Sequence, residues 1–230
     1  MAVSNSLLLV AQAALYFTVM MTLLHRRKTI GLGVFMCALG VMHFLETYLA
    51  SVFYVQLPHG IISPGSTVLF SGKLLMILLL YVKEDAATVR QPIHGLLFGN
   101  FLIVGLVMIL RNHETVQVVA GRTPDIGFVD EMGMLMVWGT ILLYIDSLAI
   151  ILLYERTGRW LGRHFALRVL ICGALVLTFD QVGFYVALYL VSDAPLSVLY
   201  GGWVAKMLAT MVYAVFFMAY LWLFPAGEQK

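Results

Sequence analysis

The residues of this sequence that could do chemistry are ionisable side chains inside long apolar segments. A charge at the centre of a bilayer costs at least ~2.5–3.5 kcal/mol, so such groups turn toward a protein interior, find partners and often mark a site. The pattern therefore predicts a buried polar site within a membrane. The ionisable residues are Glu46, Lys73, Asp146, Asp180 and Lys206, and their polar companions are His43, Asn100 and Gln181.

Motifs for catalysis or metal binding are missing from the sequence. The six histidines are scattered, and none forms a His-x-x-x-His pair. Cys37 and Cys172 lie inside apolar segments, which excludes a disulfide scaffold and a thiolate zinc site. There is no Gly-x-Ser-x-Gly motif, no phosphate-binding glycine loop and no catalytic carboxylate pair. We therefore expect no enzyme activity, no cofactor and no metal.

The composition shows what surrounds these residues. The chain has 230 residues, of which 62% are hydrophobic and 11% are charged, and its mean hydropathy is +0.95. Soluble proteins average ~25% charged residues, so most of this surface must contact lipid. The net charge of +2 gives no basis for nucleic-acid binding. The lipid bilayer is the expected environment.

Apolar runs of about 18 residues predict membrane-spanning helices, and seven are present. We expect an all-α bundle of about seven transmembrane helices, forming a single membrane domain over residues 1–230 with no soluble domain. In the fourth run, Gly95 and Gly99 predict close approach of a neighbouring helix, and Asn100 is expected to bridge helices. The runs are Ser6–Leu24, Ile30–Tyr54, Ser66–Val82, Pro92–Leu110, Val129–Tyr154, Phe165–Leu190 and Val198–Phe224.

The connections between the runs predict the orientation. Lysine and arginine concentrate in the first, third and fifth connections, which include Arg26–Lys28 and Arg156–Arg168. Because basic loops stay in the cytoplasm, the N-terminus is predicted outside and the C-terminus inside, in a multi-pass protein of the cell inner membrane. The longest connection, Asn112–Phe128, is either a solvated loop or a cover over the outer mouth.

The helical rise of ~1.5 Å per residue places four of the ionisable groups in one layer. Below the outer ends of their helices, Lys73 lies ~10 Å deep, Glu46 and Lys206 ~12 Å, and Asp180 ~15 Å. Asp146 lies ~25 Å deep and is expected near the cytoplasmic side. The four groups of the outer layer are therefore predicted to line one cavity.

Two details of spacing extend this site. His43 and Glu46 are three residues apart and share a helix face. Asp180 and Gln181 point ~100° apart, so one can face the cavity while the other faces a neighbouring helix. The predicted ligand-binding residues are Glu46, Lys73, Asp180, Lys206, His43 and Gln181.

A purely structural interpretation competes with this one. The charges could form ion pairs, for example Glu46–Lys206 and Asp180–Lys73, although the sequence does not fix the partners. Buried ion pairs contribute little net stability, because desolvation offsets the attraction. A ligand site or a permeation path is favoured, since ionisable residues within membranes are commonly functional.

Several short segments resemble a known family. They are Ser63–Ser66, Gly72–Met76, Tyr81–Asp85, Leu153–Glu155, Asp180–Phe184 and Lys206–Ala209. With these segments, most of the chain is similar to the vitamin-uptake-like sensor domains of bacteria, which resemble vitamin-uptake and queuosine-precursor transporters.

The resemblance implies a membrane bundle that binds a small, planar, polar metabolite. In the sensor members the bundle precedes a cytoplasmic kinase or cyclase, whereas this sequence ends at Lys230 without an output domain. The expected partners are therefore a small-molecule ligand and a cytoplasmic signalling module or partner subunit; the oligomeric state is left open.

Three functions remain open from the sequence. The first is the sensory input domain for a vitamin- or nucleobase-like metabolite. The second is a secondary transporter for a queuosine-precursor or vitamin-like metabolite, in which Asp180 or Glu46 couples protons. The third is a retinal-binding photoreceptor that uses Lys206 in the last helix. Against the third, the third helix carries Lys73 where an acidic counter-ion is expected, and the aromatic signature of the sixth helix is missing.

Overall fold

The chain folds into a nearly all-helical bundle with seven helices long and apolar enough to cross a membrane. The computed structural model describes residues 4–58, 60–110, 112–113, 126–162 and 164–224, with the backbone alone for 126–134. Each apolar helix overlaps one predicted run, so the predicted bundle of seven spans is confirmed. The connection Asn112–Phe128 falls largely outside the described residues. The spans are Asn5–His25, Leu32–Val52, Gly65–Lys83, Ala86–Leu110, Leu135–Leu161, Phe165–Ser192 and Leu196–Leu223.

Most elements follow one another with short connections, and the longest connection is residues 111–125. Each long helix is followed by a neighbour that packs against it, as short loops require. In chain order the elements are α1 (Asn5–His25), α2 (Arg27–Ile30), α3 (Leu32–Val52), β1 (Val55–Leu57), β2 (Gly60–Ile62), a π-helical turn (Gly65–Leu69), α4 (Phe70–Lys83), α5 (Ala86–Leu110), α6 (Ile126–Leu161), α7 (Phe165–Ser192) and α8 (Leu196–Leu223).

The two ends of the bundle differ. At one end, β1 and β2 form an antiparallel hairpin, and Asn5 at the start of α1 donates to the carbonyl of Gln56 in β1. At the opposite end, Arg27 pairs with Glu84, and Lys83 donates to the carbonyl of Phe224 beyond α8. The chain therefore enters at the hairpin end, and α8 finishes at the opposite end.

Helix α4 is the centre of the bundle. All of its residues from Phe70 to Leu80 are buried, and it contacts α1, α3, α5, α6, α7 and α8. Because six of the other spans shield it from lipid, a polar residue on α4 must find its partner within the protein. Lys73 is such a residue.

The segment between the hairpin and α4 is anchored by Ser63. Its hydroxyl donates to the carbonyl of Leu49 in α3 at 2.8 Å, and its carbonyl accepts the Thr67 hydroxyl at 2.6 Å. Gly65 allows the π-helical turn to approach α3, because a Cβ there would lie 2.4 Å from the carbonyl oxygen of Glu46. The resembling segment Ser63–Ser66 therefore sets where α4 begins relative to α3.

The helices differ from the prediction in two places. Helix α6 has 36 residues, or ~54 Å, and extends beyond the predicted run Val129–Tyr154 at both ends. Gly95 and Gly99 do not admit a neighbouring helix, since nothing lies within 4 Å of a Cβ built at either position. Gly201 does allow a close approach, but to the hairpin: its Cβ would lie 2.8 Å from the carbonyl oxygen of Ile61.

Candidate functional site

The four predicted charges form two buried ion pairs. Lys73 Nζ on α4 donates to Glu46 Oε1 on α3 at 2.7 Å, and Lys206 on α8 pairs with Asp180 on α7. The pairings suggested from the sequence, Glu46–Lys206 and Asp180–Lys73, were wrong. Each observed pair joins two consecutive spans, because helices that follow each other directly lie side by side in this bundle.

Both lysines are fully withdrawn from lipid and from water. Lys73 is 1% exposed and Lys206 is 0% exposed, so neither extends its amine to the membrane surface. Both amines lie over the ring of Phe70, with Lys73 Nζ 4.8 Å and Lys206 Nζ 5.3 Å from its centroid. The π system of the ring stabilises both ammonium groups.

His43 connects the first ion pair to two further helices. Its Nδ1 lies 2.8 Å from Lys73 Nζ, and its Nε2 lies 2.6 Å from the Asn100 side-chain amide on α5. The Asn100 amide also lies 2.9 Å from Thr140 Oγ1 on α6. Asn100 therefore bridges helices, as expected, and a hydrogen-bonded path runs across α4, α3, α5 and α6.

Asp146 lies in the same layer, which corrects its expected place near the cytoplasmic side. It is 0% exposed, and it lies close enough to Asp180, Lys206 and Lys73 to feel their charges. The depth was wrong because α6 has 36 residues, or ~54 Å, which exceeds the ~30 Å hydrocarbon core, so the first residue of the apolar run does not mark the membrane surface.

The Asp146 carboxyl group has no hydrogen-bond donor. Both of its oxygens are buried without a donor among the described residues. Two carboxyl groups that face each other favour a shared proton or a cation between them. The layer contains three carboxyl groups against two lysines, so it has one negative group more than positive ones when all are ionised.

A cavity lies beside these groups in the half of the bundle nearest the hairpin. Glu46 and Asp180 contribute the charged groups of its wall. Of the described residues, Lys73 and Lys206 do not line the cavity and lie behind their carboxylate partners. The remaining lining residues are His43, Thr47, Ala50, Ser51, Ser66, Phe70, Asn100, Leu135, Met136, Gly139, Thr140, Leu143 and Phe184.

The size of the cavity limits what it can hold. The centres of water-sized spheres can occupy about 60 Å³ of it. At ~10–15 Å³ per water on this measure, the space accommodates about five waters, or one small ring. A two-ring ligand would therefore need lining side chains to move.

Gln181 is the predicted site residue that the cavity does not include. Its amide nitrogen donates to the carbonyls of Val198 and Leu199 at 3.2 and 3.3 Å, and a Cβ at Gly202 would lie 2.3 Å from that nitrogen. While Asp180 faces the cavity, Gln181 joins α7 to α8.

Sequence reasoning missed most of the uncharged lining. Thr47 and Ser51 continue the helix face that carries His43, at spacings of four and eight residues, so the periodicity of α3 contained the signal. Gly139 and Thr140 lie on the apolar helix α6. Asp146, one to two turns away, is the charged residue that could have indicated which side of α6 faces inward. Phe70 and Phe184 are two of the 14 phenylalanines of the chain, and position in the sequence does not distinguish them as lining residues.

The arrangement is suited to binding. Its polar groups are held by ion pairs and helix-to-helix hydrogen bonds, which fixes their orientation before a ligand arrives. Among the described residues, no group of three or more histidine, cysteine, aspartate and glutamate side chains is placed to hold a metal ion.

Comparison with known protein families identifies the family of the bundle. A family model described as vitamin uptake-like sensor matches residues 17–221, which include every helix that contributes to the cavity. Searches of curated proteins and of solved structures gave no match. Because the family match covers nearly the whole membrane bundle, this chain belongs to the vitamin uptake-like sensor family.

Proposed function

We propose that the chain is a membrane-embedded module that binds a small metabolite in the cavity beside Glu46 and Asp180 and acts as a sensory input domain. The observation that carries the proposal is the buried layer of five ionisable groups next to a cavity. Ion pairs with a purely structural role would need no cavity beside them, because protein interiors are normally close-packed. Membership in a family named for sensing supports the same function.

The fold offers a path from the cavity to the opposite end of the bundle. Lys73 on α4 holds Glu46, and Lys83 at the other end of α4 donates to the carbonyl of Phe224 after α8. A ligand that alters the position of α4 would therefore move the end of α8. Such a shift requires that the ligand bind the two arrangements with different affinity.

A secondary transporter is the second candidate, and the Asp146–Asp180 carboxyl pair favours it. Facing carboxyl groups in the middle of a membrane are a common means of coupling protons to transport. Uptake of the ligand into proteoliposomes, lost in Asp180→Asn, would support transport. Saturable binding without flux would support sensing.

Retinal binding has less support. The cavity accommodates about one ring, whereas retinal carries a ring and a long polyene. Lys206 lies outside the cavity lining, and its amine is engaged by Asp180.

We further propose that the N-terminus lies outside and the C-terminus in the cytoplasm of the cell inner membrane, with a signalling module or partner subunit at the C-terminal side and no enzymatic activity of the bundle itself. The concentration of basic residues in alternate connections supports this orientation. Fusion of a reporter that is active only in the cytoplasm tests it. Activity at the C-terminus and none at the N-terminus is expected, and the reverse pattern would overturn the orientation.

Ligand binding is tested with the purified chain and a metabolite library, by thermal unfolding. Gly139→Leu fills the cavity, because Gly139 lines it and nothing lies within 4 Å of a Cβ there. Gly105→Leu is the matched control, since Gly105 is exposed on α5 and is equally open. A compound that stabilises the wild type and Gly105→Leu, but not Gly139→Leu, supports the proposal. If no compound stabilises the wild type, the proposed function fails.

A further inference from the structure

The hydroxyl groups in the cavity wall already donate their protons to backbone carbonyls. Thr47 Oγ1 donates to the carbonyl of His43 at 2.9 Å, and Ser51 Oγ donates to that of Tyr48 at 2.8 Å. Thr140 Oγ1 donates to the carbonyl of Met136 at 2.7 Å. A hydroxyl has one proton and two lone pairs. These side chains therefore present acceptors to the cavity.

The other polar groups of the wall add few donors. His43 Nδ1 accepts from Lys73 at 2.8 Å, so His43 Nε2 carries the ring proton and donates to the Asn100 side-chain amide 2.6 Å away. The Asn100 amide therefore turns its oxygen to His43, and its NH2 group is the side-chain donor that these residues can offer. Among the described lining residues, the hydrogen-bonding capacity that remains is almost entirely that of acceptors.

The carboxylates add charge to this pattern. Glu46 Oε1 accepts from Lys73, while Oε2 is 3.7 Å from His43 Nδ1 and so beyond hydrogen-bonding distance. An ionised carboxylate accepts about four hydrogen bonds, so Glu46 and Asp180 keep capacity for a ligand. Lys73 and Lys206 balance these two carboxylates. They do not line the cavity and lie behind the carboxylates as seen from it.

The charge count of the layer points the same way. Three carboxyl groups, on Glu46, Asp146 and Asp180, stand against the two amines of Lys73 and Lys206. The excess negative charge is balanced either by a proton shared between Asp146 and Asp180 or by a cation, whereas an anion would meet the carboxylates of Glu46 and Asp180. Charges in such surroundings are weakly screened.

We infer that the cavity selects a small planar ligand that bears a cationic or donor-rich nitrogen group, of the amidinium or aminoheterocycle class, and rejects carboxylates and phosphates. A flat side of such a ring would lie against Phe184, and its N–H groups would reach Glu46 and Asp180. The inference rests on the proposed function, because it names the class of ligand that the same cavity binds.

Three probes of one shape and different charge test this class. Benzamidine is a cation, benzamide is neutral and benzoate is an anion, and each has one ring, as the cavity requires. Their dissociation constants are measured with the full chain in nanodiscs by calorimetry, at constant ionic strength. Because a hydrogen bond to a charged group contributes more than a neutral one, we expect benzamidine to bind at least ~10-fold more tightly than benzoate, with benzamide between them.

The variants locate the binding. Gly139→Leu is expected to abolish benzamidine binding and Gly105→Leu to preserve it, while Glu46→Gln reduces the preference for benzamidine over benzoate by at least ~10-fold. If Glu46→Gln does not fold, the ranking of the three dissociation constants in the wild type and the result with Gly139→Leu still decide whether the inference holds. Benzoate binding as tightly as benzamidine, or no benzamidine binding at millimolar concentration, overturns the inference. A metabolite that still stabilises the wild type in that case would leave the proposed function standing.

Discussion

The ion pair between Glu46 and Lys73 gives the most direct test of the site. Lys73→Met leaves Glu46 as an unpaired charge and removes a contact from His43 Nδ1, in a place where Lys73 is 1% exposed. Breaking a buried pair by removing one partner costs ~3–5 kcal/mol. At ~2–4 °C per kcal/mol for a chain of this length, we expect the Tm to fall by ~6–20 °C.

The reciprocal change is expected to cost less. In Glu46→Gln, Lys73 keeps its 2.8 Å contact with His43 Nδ1 and its place over the ring of Phe70, and glutamine retains an oxygen that can accept from it. The double variant Glu46→Gln/Lys73→Met contains no unpaired charge. Its loss of stability is therefore expected to be smaller than the sum of the two single losses, by ~1–3 kcal/mol.

Thermal unfolding in detergent, followed by the fluorescence of the four tryptophans, measures all three variants. Arg90→Met is the control, because Arg90 is exposed at the start of α5 and its loss should change stability by less than ~0.5 kcal/mol. Losses that add within ~0.5 kcal/mol would show that Glu46 and Lys73 do not interact, and the description of the site would then be wrong.

Three further predictions test the supports of the site. Gly65→Ala should destabilise the protein by ~1–3 kcal/mol, since its Cβ would meet the α3 backbone, whereas Gly95→Ala on an open helix face should not destabilise it; equal effects in thermal unfolding would contradict this. Thr140→Val removes the hydroxyl that is hydrogen-bonded to α5 and should cost ~1 kcal/mol in the same assay. The Thr88 amide donates to Asp85 at 2.6 Å, which lowers the pKa of Asp85 below its ordinary value. Because this stabilisation is lost as the pH falls through the lowered pKa, the protection of the Thr88 amide against hydrogen exchange should fall in acid, and Asp85→Ala should lack that pH-dependent step.

The sequence contained enough to predict the helices and most of the layer. Long apolar runs locate membrane spans because lipid tolerates no other backbone arrangement. The rise per residue then placed Glu46, Lys73, Asp180 and Lys206 at similar depth, and the structure brings all four together. Asp146 was misplaced because its helix has 36 residues, more than a membrane crossing requires, so the first residue of the apolar run did not mark the membrane surface.

The partners could not be predicted from the sequence, for a physical reason. In a soluble helix, an apolar stripe shows which side faces the core. Here the helices are apolar all round, so periodicity does not show how each is rotated about its axis. The estimated depths left two possible ion-pair partners for Lys73, namely Glu46 and Asp180. The rotation of α4 about its axis and the helices next to it determine which of the two pairs with Lys73. For the same reason Gly95 and Gly99 were expected at a contact that the bundle does not make.

The way in which the ion pairs connect neighbouring spans has a consequence for biosynthesis. A translocon releases helices in order of synthesis, and an isolated lysine in the acyl chains would hinder partitioning. Glu46 and Lys73 lie on α3 and α4, and Asp180 and Lys206 lie on α7 and α8, so each charge meets its neutralising partner within one helical hairpin. Each hairpin can therefore leave the translocon as a unit, without waiting for the rest of the chain.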